Sequence, residues 1–139
     1  MRTLSDVTFE QDPLVLPSVT PVDEACRHMS ERRVGSVAVV DDSGRLVGIF
    51  TGRDAVGRVL ARRRDPAATR LADVMTRDPQ ALSPGQSAIE ALRLMWDGGF
   101  RHLPLVKQGK VVGVVSRGDF RGVEFGRHEE ERELWEHMR

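Results

Sequence analysis

The feature that most constrains this fold is an internal repeat. Val22, Ala25, Cys26 and Met29 are matched by Ala88, Ala91, Leu92 and Met95, each 66 positions later. Both quartets have the i, i+3, i+4, i+7 spacing of one apolar helix face, and a fixed period marks one supersecondary unit used twice. Pro21 and Pro84 lie near the two helix starts, where proline is tolerated. Asp12-Pro13 and Asp78-Pro79 keep the same spacing. Downstream, Val37–Val40, a turn at Asp41-Asp42-Ser43-Gly44 and Leu46–Phe50 predict a β-hairpin. Leu103–Val106, a turn around Gln108-Gly109 and Val111–Val115 predict a second one. The offset falls to 65 between Gly48 and Gly113, so the first copy carries one extra residue, placed in its hairpin turn. Pro104 cannot donate a ladder hydrogen bond, so its strand is expected at a sheet edge or to begin there.

A second helix signal follows each hairpin. Thr51-Gly52-Arg53-Asp54 leads into Val56, Val59 and Leu60, and Ser116-Arg117-Gly118-Asp119 leads into Phe120 and Val123. Leu4, Asp6 and Val7 are echoed by Leu71, Asp73 and Val74, giving each copy a similar lead-in. The expected organisation is a first repeat with its lead-in over 1–64 and a linker over 65–72 containing Pro66, Ala67 and Ala68. A second repeat over 73–124 and a charged helical tail over 125–139 complete it, with Leu134, Trp135 and Met138 as the tail's docking residues. A unit of about 60 residues buries too little surface to be comfortably stable alone. The predicted class is therefore α+β: two repeats, each a small sheet with flanking helices, paired through their sheets about a pseudo-twofold axis.

Charge and motif content narrow the function. The chain has 21 Lys+Arg and 21 Asp+Glu, hence no formal net charge, which argues against a general nucleic-acid binder. Arg62-Arg63-Arg64 is read as a solvated helix end. Cys26 is the single cysteine, so no intramolecular disulfide is possible, as fits a cytoplasmic protein. It lies on the apolar helix face and is assigned to packing. No stretch approaches the ~20 apolar residues of a membrane span, and no secretory leader is expected at the N-terminus. An enzyme is the main rival reading, but no Walker loop and no GxGxxG opening a helix are present. His128-Glu129-Glu130-Glu131-Arg132 has arginine where a zinc protease needs its second histidine, and the histidines show no metal-ligand spacing. No catalytic constellation and no metal site are expected.

The repeat resembles the CBS domain, which occurs in pairs called Bateman modules. The second copy carries the resemblance best, through Asp73-Val74-Met75-Thr76, Asp78-Pro79, Met95, Gly99 to Val106 and Gly113 to Asp119. The first copy has Val34-Gly35-Ser36-Val37 where the second has Phe100-Arg101-His102-Leu103, but keeps Gly48-Ile49-Phe50-Thr51-Gly52-Arg53-Asp54. The resemblance covers residues 4–124 and implies clefts between the paired sheets that bind an adenosyl ligand: AMP, ADP, ATP or S-adenosylmethionine. It implies a regulatory, energy-sensing role without catalysis, a disc-like homodimer and an effector protein regulated in trans. A structural or dimerisation module without ligand is the second alternative.

The family's site signature is Gly, a hydrophobic residue, any residue, Thr or Ser, two residues, then Asp, and here it ends at Asp54 and Asp119. A carboxylate at a helix start accepts hydrogen bonds from a ribose diol, and charge assistance strengthens them. Thr51 or Ser116 supplies a hydroxyl for a ribose or phosphate oxygen. Arg53, Arg101, His102 and Arg117 are candidate phosphate ligands, arginine through its planar fork and histidine as a pH-sensitive contact. Leu103 and Pro104 are candidates for the apolar adenine slot built from strand residues. Arg101 and His102 are expected to join Ser116, Arg117 and Asp119 in the better of the two sites. Thr51…Asp54 and Ser116…Asp119 also read as capping boxes, and the two roles are compatible.

Overall fold

The structure is a computed structural model and describes residues 2–8, 11–99 and 101–120. Its elements run α1 (Leu4–Val7), β1 (Val15–Pro17), α2 (Val22–Arg32), β2 (Ser36–Val40), β3 (Leu46–Thr51) and α3 (Gly52–Asp54), which continues as a π-helical turn (Ala55–Leu60). Then come α4 (Leu71–Val74), β4 (Thr76–Arg77), α5 (Ala88–Gly98), β5 (His102–Lys107), β6 (Lys110–Ser116) and a 3-10 turn (Arg117–Asp119). The helix expected to lead into Phe120 and Val123 is seen as that 3-10 turn with Phe120 extended, and Val123 and the charged tail lie outside the described residues.

The two apolar stripes form the matched helices α2 and α5. Met29 and Met95, equivalent in the repeat, are both buried, each in its own core. Ser87 caps α5, its Oγ accepting from Glu90 N at 3.2 Å. Each helix ends on a left-handed residue, Arg33 (φ 55°) for α2 and Gly99 (φ 71°) for α5.

Each hairpin forms with the predicted strands. The first turn spans five residues, between the paired Val40 and Leu46, and the second four, between Val106 and Val111, so the extra residue does sit there. Both hairpins carry a register shift at the same repeat position, Val39/Val40 and Leu105/Val106. The hairpin tips meet through a bridge between Arg45 and Lys110, whose Nζ donates to Ser43 O at 2.6 Å.

The lead-ins exchange partners. Leu4 belongs to the second core, with Leu92, Met95, Leu103 and Leu105. Leu71, Val74 and Met75 belong to the first, with Val22, Met29 and Phe50. The bonds are reciprocal: Leu4 N donates to Gln86 O and Ala88 N to Arg2 O, while Leu71 N donates to Thr20 O and Val22 N to Thr69 O. Strand β4 adds to β3, giving one sheet the order β1-β2-β3-β4. In the other sheet, β5-β6, the matching place beside β6 is held by Gln11, whose side chain both donates to Val114 O and accepts from Val114 N. Each structural half is thus built from both repeats.

One asymmetry follows from Pro104. In the first half Ala38 N donates to Leu14 O at 3.0 Å, and β1 pairs in parallel with β2 over three residues. Pro104 occupies the equivalent position and has no N–H, so its partner segment cannot be held there. What remains is a single parallel bridge at Leu82, whose N donates to Pro104 O and whose O accepts from Val106 N. The missing donor faces this side of β5, which among the described residues carries only that bridge, as expected for an edge.

Candidate functional site

A cavity of about 750 Å³ lies between the halves. Its first wall is the strand-to-helix turn of the first repeat, Thr51 to Asp54, with Ile49 and Gly35. Its second wall is the start of β5, Arg101 to Leu103, with Gly99. Thr76, Asp78, Pro79 and Gln80 close the third side. These last residues follow the end of β4 at Arg77, where Asp78 turns left-handed (φ 45°).

At the first wall, Thr51 leaves β3 in extended geometry and caps the following helix. Asp54 Oδ2 accepts from Thr51 N at 2.9 Å and from Thr51 Oγ1 at 3.1 Å, while Asp54 N donates back to Thr51 Oγ1 at 3.4 Å. The capping box therefore exists, and it fixes the carboxylate at the cavity margin. Gly52 has open space where a Cβ would stand, so the cavity reaches the backbone there. Arg53 is exposed and lines the same wall.

At the second wall, His102 crosses toward the first repeat: a Cβ on Gly35 would lie 3.1 Å from His102 Nε2. Burial lowers the His102 pKa below its ordinary value, the nearby Asp119 carboxylate acts the other way, and Arg101 reinforces the lowering. The imidazole is thus held toward its neutral form rather than at its free value. Leu103 is buried beside it. The cavity combines an apolar strand surface (Ile49, Leu103), two guanidinium groups (Arg53, Arg101) and two carboxylates (Asp54, Asp78).

Six sequence-selected residues, Thr51, Arg53, Asp54, Arg101, His102 and Leu103, line this one cavity; Pro104, Ser116, Arg117 and Asp119 do not. Arg101 and His102, expected beside Ser116, Arg117 and Asp119, line this cavity, and the Asp119 carboxylate also acts on His102. Their backbones pair, His102 with Ser116 and Arg117 N with Arg101 O at 3.1 Å, and both Arg101 and His102 also line the first repeat's cavity.

The second signature is capped like the first, Asp119 Oδ2 accepting from Ser116 N at 2.7 Å and from Ser116 Oγ at 3.2 Å. Arg117 stacks over Trp96, 5.2 Å from the ring centroid, a cation–π contact. Its Nε is buried without a hydrogen-bond partner among the described residues. Thr76, Asp78 and Pro79 are cavity residues that the sequence reading quoted as motif without assigning to the site. Gly35, Ile49, Gly52 and Gly99 stand in those motifs too, and Gln80 alone carries no sequence signal. No group of three or more His, Cys, Asp or Glu among the described residues could hold a metal ion, and no described helix is long and apolar enough to cross a membrane.

Two matched α+β halves around a cleft of this kind define a paired-repeat module. Comparison with known proteins gives the family: the CBS domain model matches residues 4–61 and 71–125, and the chain belongs to the CBS-domain family. A CBS domain-containing protein of Arabidopsis thaliana, CBSCBSPB3, is 41% identical over 103 residues, covering 74% of this chain but 18% of that protein. The chain thus spans about a fifth of the length of such curated relatives. Among solved structures, a protein with CBS domains from Burkholderia ambifaria superimposes with TM-score 0.76 at 31% identity, covering 84% of this chain and 89% of that one. CBSX2 in complex with AMP gives TM-score 0.72 at 28% identity, covering 86% and 92%.

Proposed function

We propose that the chain is a regulatory CBS-pair module that binds an adenine nucleotide or related adenosyl ligand in the cleft between Thr51–Asp54 and Arg101–Leu103, without catalysis. The observation that carries this reading is the convergence of one repeat's signature carboxylate, Asp54, and the other repeat's Arg101 on a single ligand-sized cavity of about 750 Å³. Asp54 receives ribose hydroxyls. Ile49 and Leu103 flank the adenine. Arg53 and Arg101 take the phosphate, with His102 as a neutral partner. The AMP complex of CBSX2, a protein of the same fold, supports AMP as the first ligand to test. Ser116, Arg117 and Asp119, with Pro104 on the neighbouring strand, form the candidate set for a second site. The module acts on a partner in trans, from the cytoplasm.

The experiment is calorimetry of ligand-stripped protein against AMP, ADP, ATP and S-adenosylmethionine, with chromatographic analysis of each nucleotide after incubation. Saturable binding of at least one, with no turnover, is the expected result. Turnover would assign the chain to an enzyme class, and no binding to any would leave a structural module. A homodimer goes with either non-catalytic reading, because Val56 (61% exposed) and Leu60 (64%) present an apolar i, i+4 pair on the helix after Asp54. Sedimentation of a monomer at high micromolar concentration would count against it.

A further inference from the structure

The Asp54 carboxylate has a second holder that the site signature does not contain. Its Oδ1 lies 3.5 Å from Arg58 Nε, and the Asp54 side chain is 13% exposed. The same guanidinium reaches the other way: Arg58 Nη1 donates to Met75 O at 3.0 Å and to Val74 O at 3.3 Å. Val74 and Met75 directly precede Thr76, which pairs with Ile49 and lines the cavity. Arg58 is therefore a single side chain spanning the helix that carries the carboxylate and the exchanged lead-in that forms another wall. It sits in the π-helical turn Ala55–Leu60, a local widening often found at functional sites. The equivalent residue of the second repeat, 65 positions on, is Val123, which has no cation to offer.

A carboxylate presents about four lone-pair directions. Oδ2 is already committed to Thr51 N and Thr51 Oγ1, and Oδ1 faces Arg58. With the carboxylate plane pinned at both oxygens, the free acceptor direction on Oδ1 has a fixed aim. We infer that Arg58 is a positioning residue for ribose recognition: it orients Asp54 toward a ribose hydroxyl and ties that carboxylate to the Val74–Thr76 wall of the cleft. This rests on the nucleotide reading above. Arg58 need not touch the ligand, and its effect passes only through the hydroxyl that Asp54 receives.

The test is a cycle of variants and ligands read by calorimetry. AMP and 2′,3′-dideoxy-AMP are titrated into wild type, Asp54→Ala, Arg58→Met and Arg58→Gln, with thermal melts of each. The expected result is that wild type prefers AMP over the dideoxy compound, and that Asp54→Ala abolishes the preference. Arg58→Met is expected to cut it by about tenfold, the scale of one misdirected hydrogen bond to a charged group, while dideoxy-AMP affinity stays within about twofold of wild type by the same arithmetic. If Arg58→Met melts early, Arg58→Gln, which keeps a donor for the Val74 and Met75 carbonyls, carries the comparison. Equal losses for both ligands would make Arg58 a merely structural residue and overturn the inference. So would an unchanged preference in both Arg58 variants while Asp54→Ala removes it. A wild type that does not distinguish the two ligands would overturn the ribose reading of Asp54 itself, and the Arg58 inference with it.

Discussion

Met75 packs directly against the backbone of Gly48: a Cβ added there would lie 2.8 Å from Met75 Cγ and 3.0 Å from Thr76 O. The contact joins the sheet of the first repeat to the lead-in of the second. It is mirrored at Gly113, where a Cβ would meet Gln11 Oε1 at 3.0 Å and Thr8 Cγ2 at 3.1 Å. The two glycines stand at equivalent repeat positions because each must admit the other repeat's lead-in.

Gly48→Val is therefore expected to destabilise the fold by about 1–3 kcal/mol through overpacking. Adding Met75→Ala to Gly48→Ala should recover only part of the loss that Gly48→Ala causes, since the Thr76 carbonyl still crowds the site. Denaturant melts of the variants check this. A Gly48→Val protein as stable as wild type would show that the lead-in does not pack there.

The exchange of lead-ins could not be read from the sequence. Leu4 and Leu71 match whether each packs on its own repeat or on the other, because an internal repeat is symmetric under that exchange. The helix stripes were legible, since Met29 and Met95 report a local periodicity that burial then satisfies. So were the hairpin strands and the position of the extra turn residue. In the site, Thr51, Asp54, Arg101 and His102 were legible as residues, but the meeting of the Thr51–Asp54 turn with the start of β5 was not, because which signature faces which strand start is a property of the pairing between halves. Arg58 was invisible for a different reason. An arginine four residues after an aspartate reads as an ordinary exposed helix pair, and only the fold brings the Val74 and Met75 carbonyls to it.

The Pro104 asymmetry gives a second test. Pro104→Ala restores the donor that Ala38 has in the first half, so the segment at Gln80 should join β5 as Leu14 joins β2. The introduced amide at position 104 should exchange slowly with solvent, and Gln80 should withdraw from the cleft and weaken AMP binding several-fold. Loss of proline's restraint on the unfolded chain costs about 0.4–1 kcal/mol in the opposite sense. Rapid exchange of that amide, with AMP affinity unchanged, would show that Pro104 does not control the cleft wall.

His102 makes stability depend on pH with a definite sign. Burial lowers its folded pKa, opposed by Asp119 and assisted by Arg101. The unfolded chain therefore binds the proton more readily, so this group's contribution is fully present above about pH 6.5, the free histidine value, and is lost as pH falls through the lower folded value. His102→Gln should flatten the fall in stability between about pH 7 and pH 5.5, a window set by that same free value. Melting wild type and variant across this range decides it. Parallel curves would mean that the imidazole is not desolvated in the folded protein.

The central claim is that the cleft between Asp54 and the start of β5 is where an adenosyl ligand binds, and that Asp54 anchors it. The most direct measurement is calorimetric titration of AMP into ligand-free wild type, Asp54→Ala and Asp119→Ala, with thermal melts alongside. Either substitution removes part of a cap and should cost about 1 kcal/mol of stability. Asp54→Ala should weaken AMP binding roughly ten- to a hundredfold, the loss of hydrogen bonds to a charged acceptor, while Asp119→Ala leaves the tighter binding event near its wild-type affinity. Unchanged affinity in a folded Asp54→Ala protein would contradict the account, reducing Asp54 to a helix cap and moving the site elsewhere.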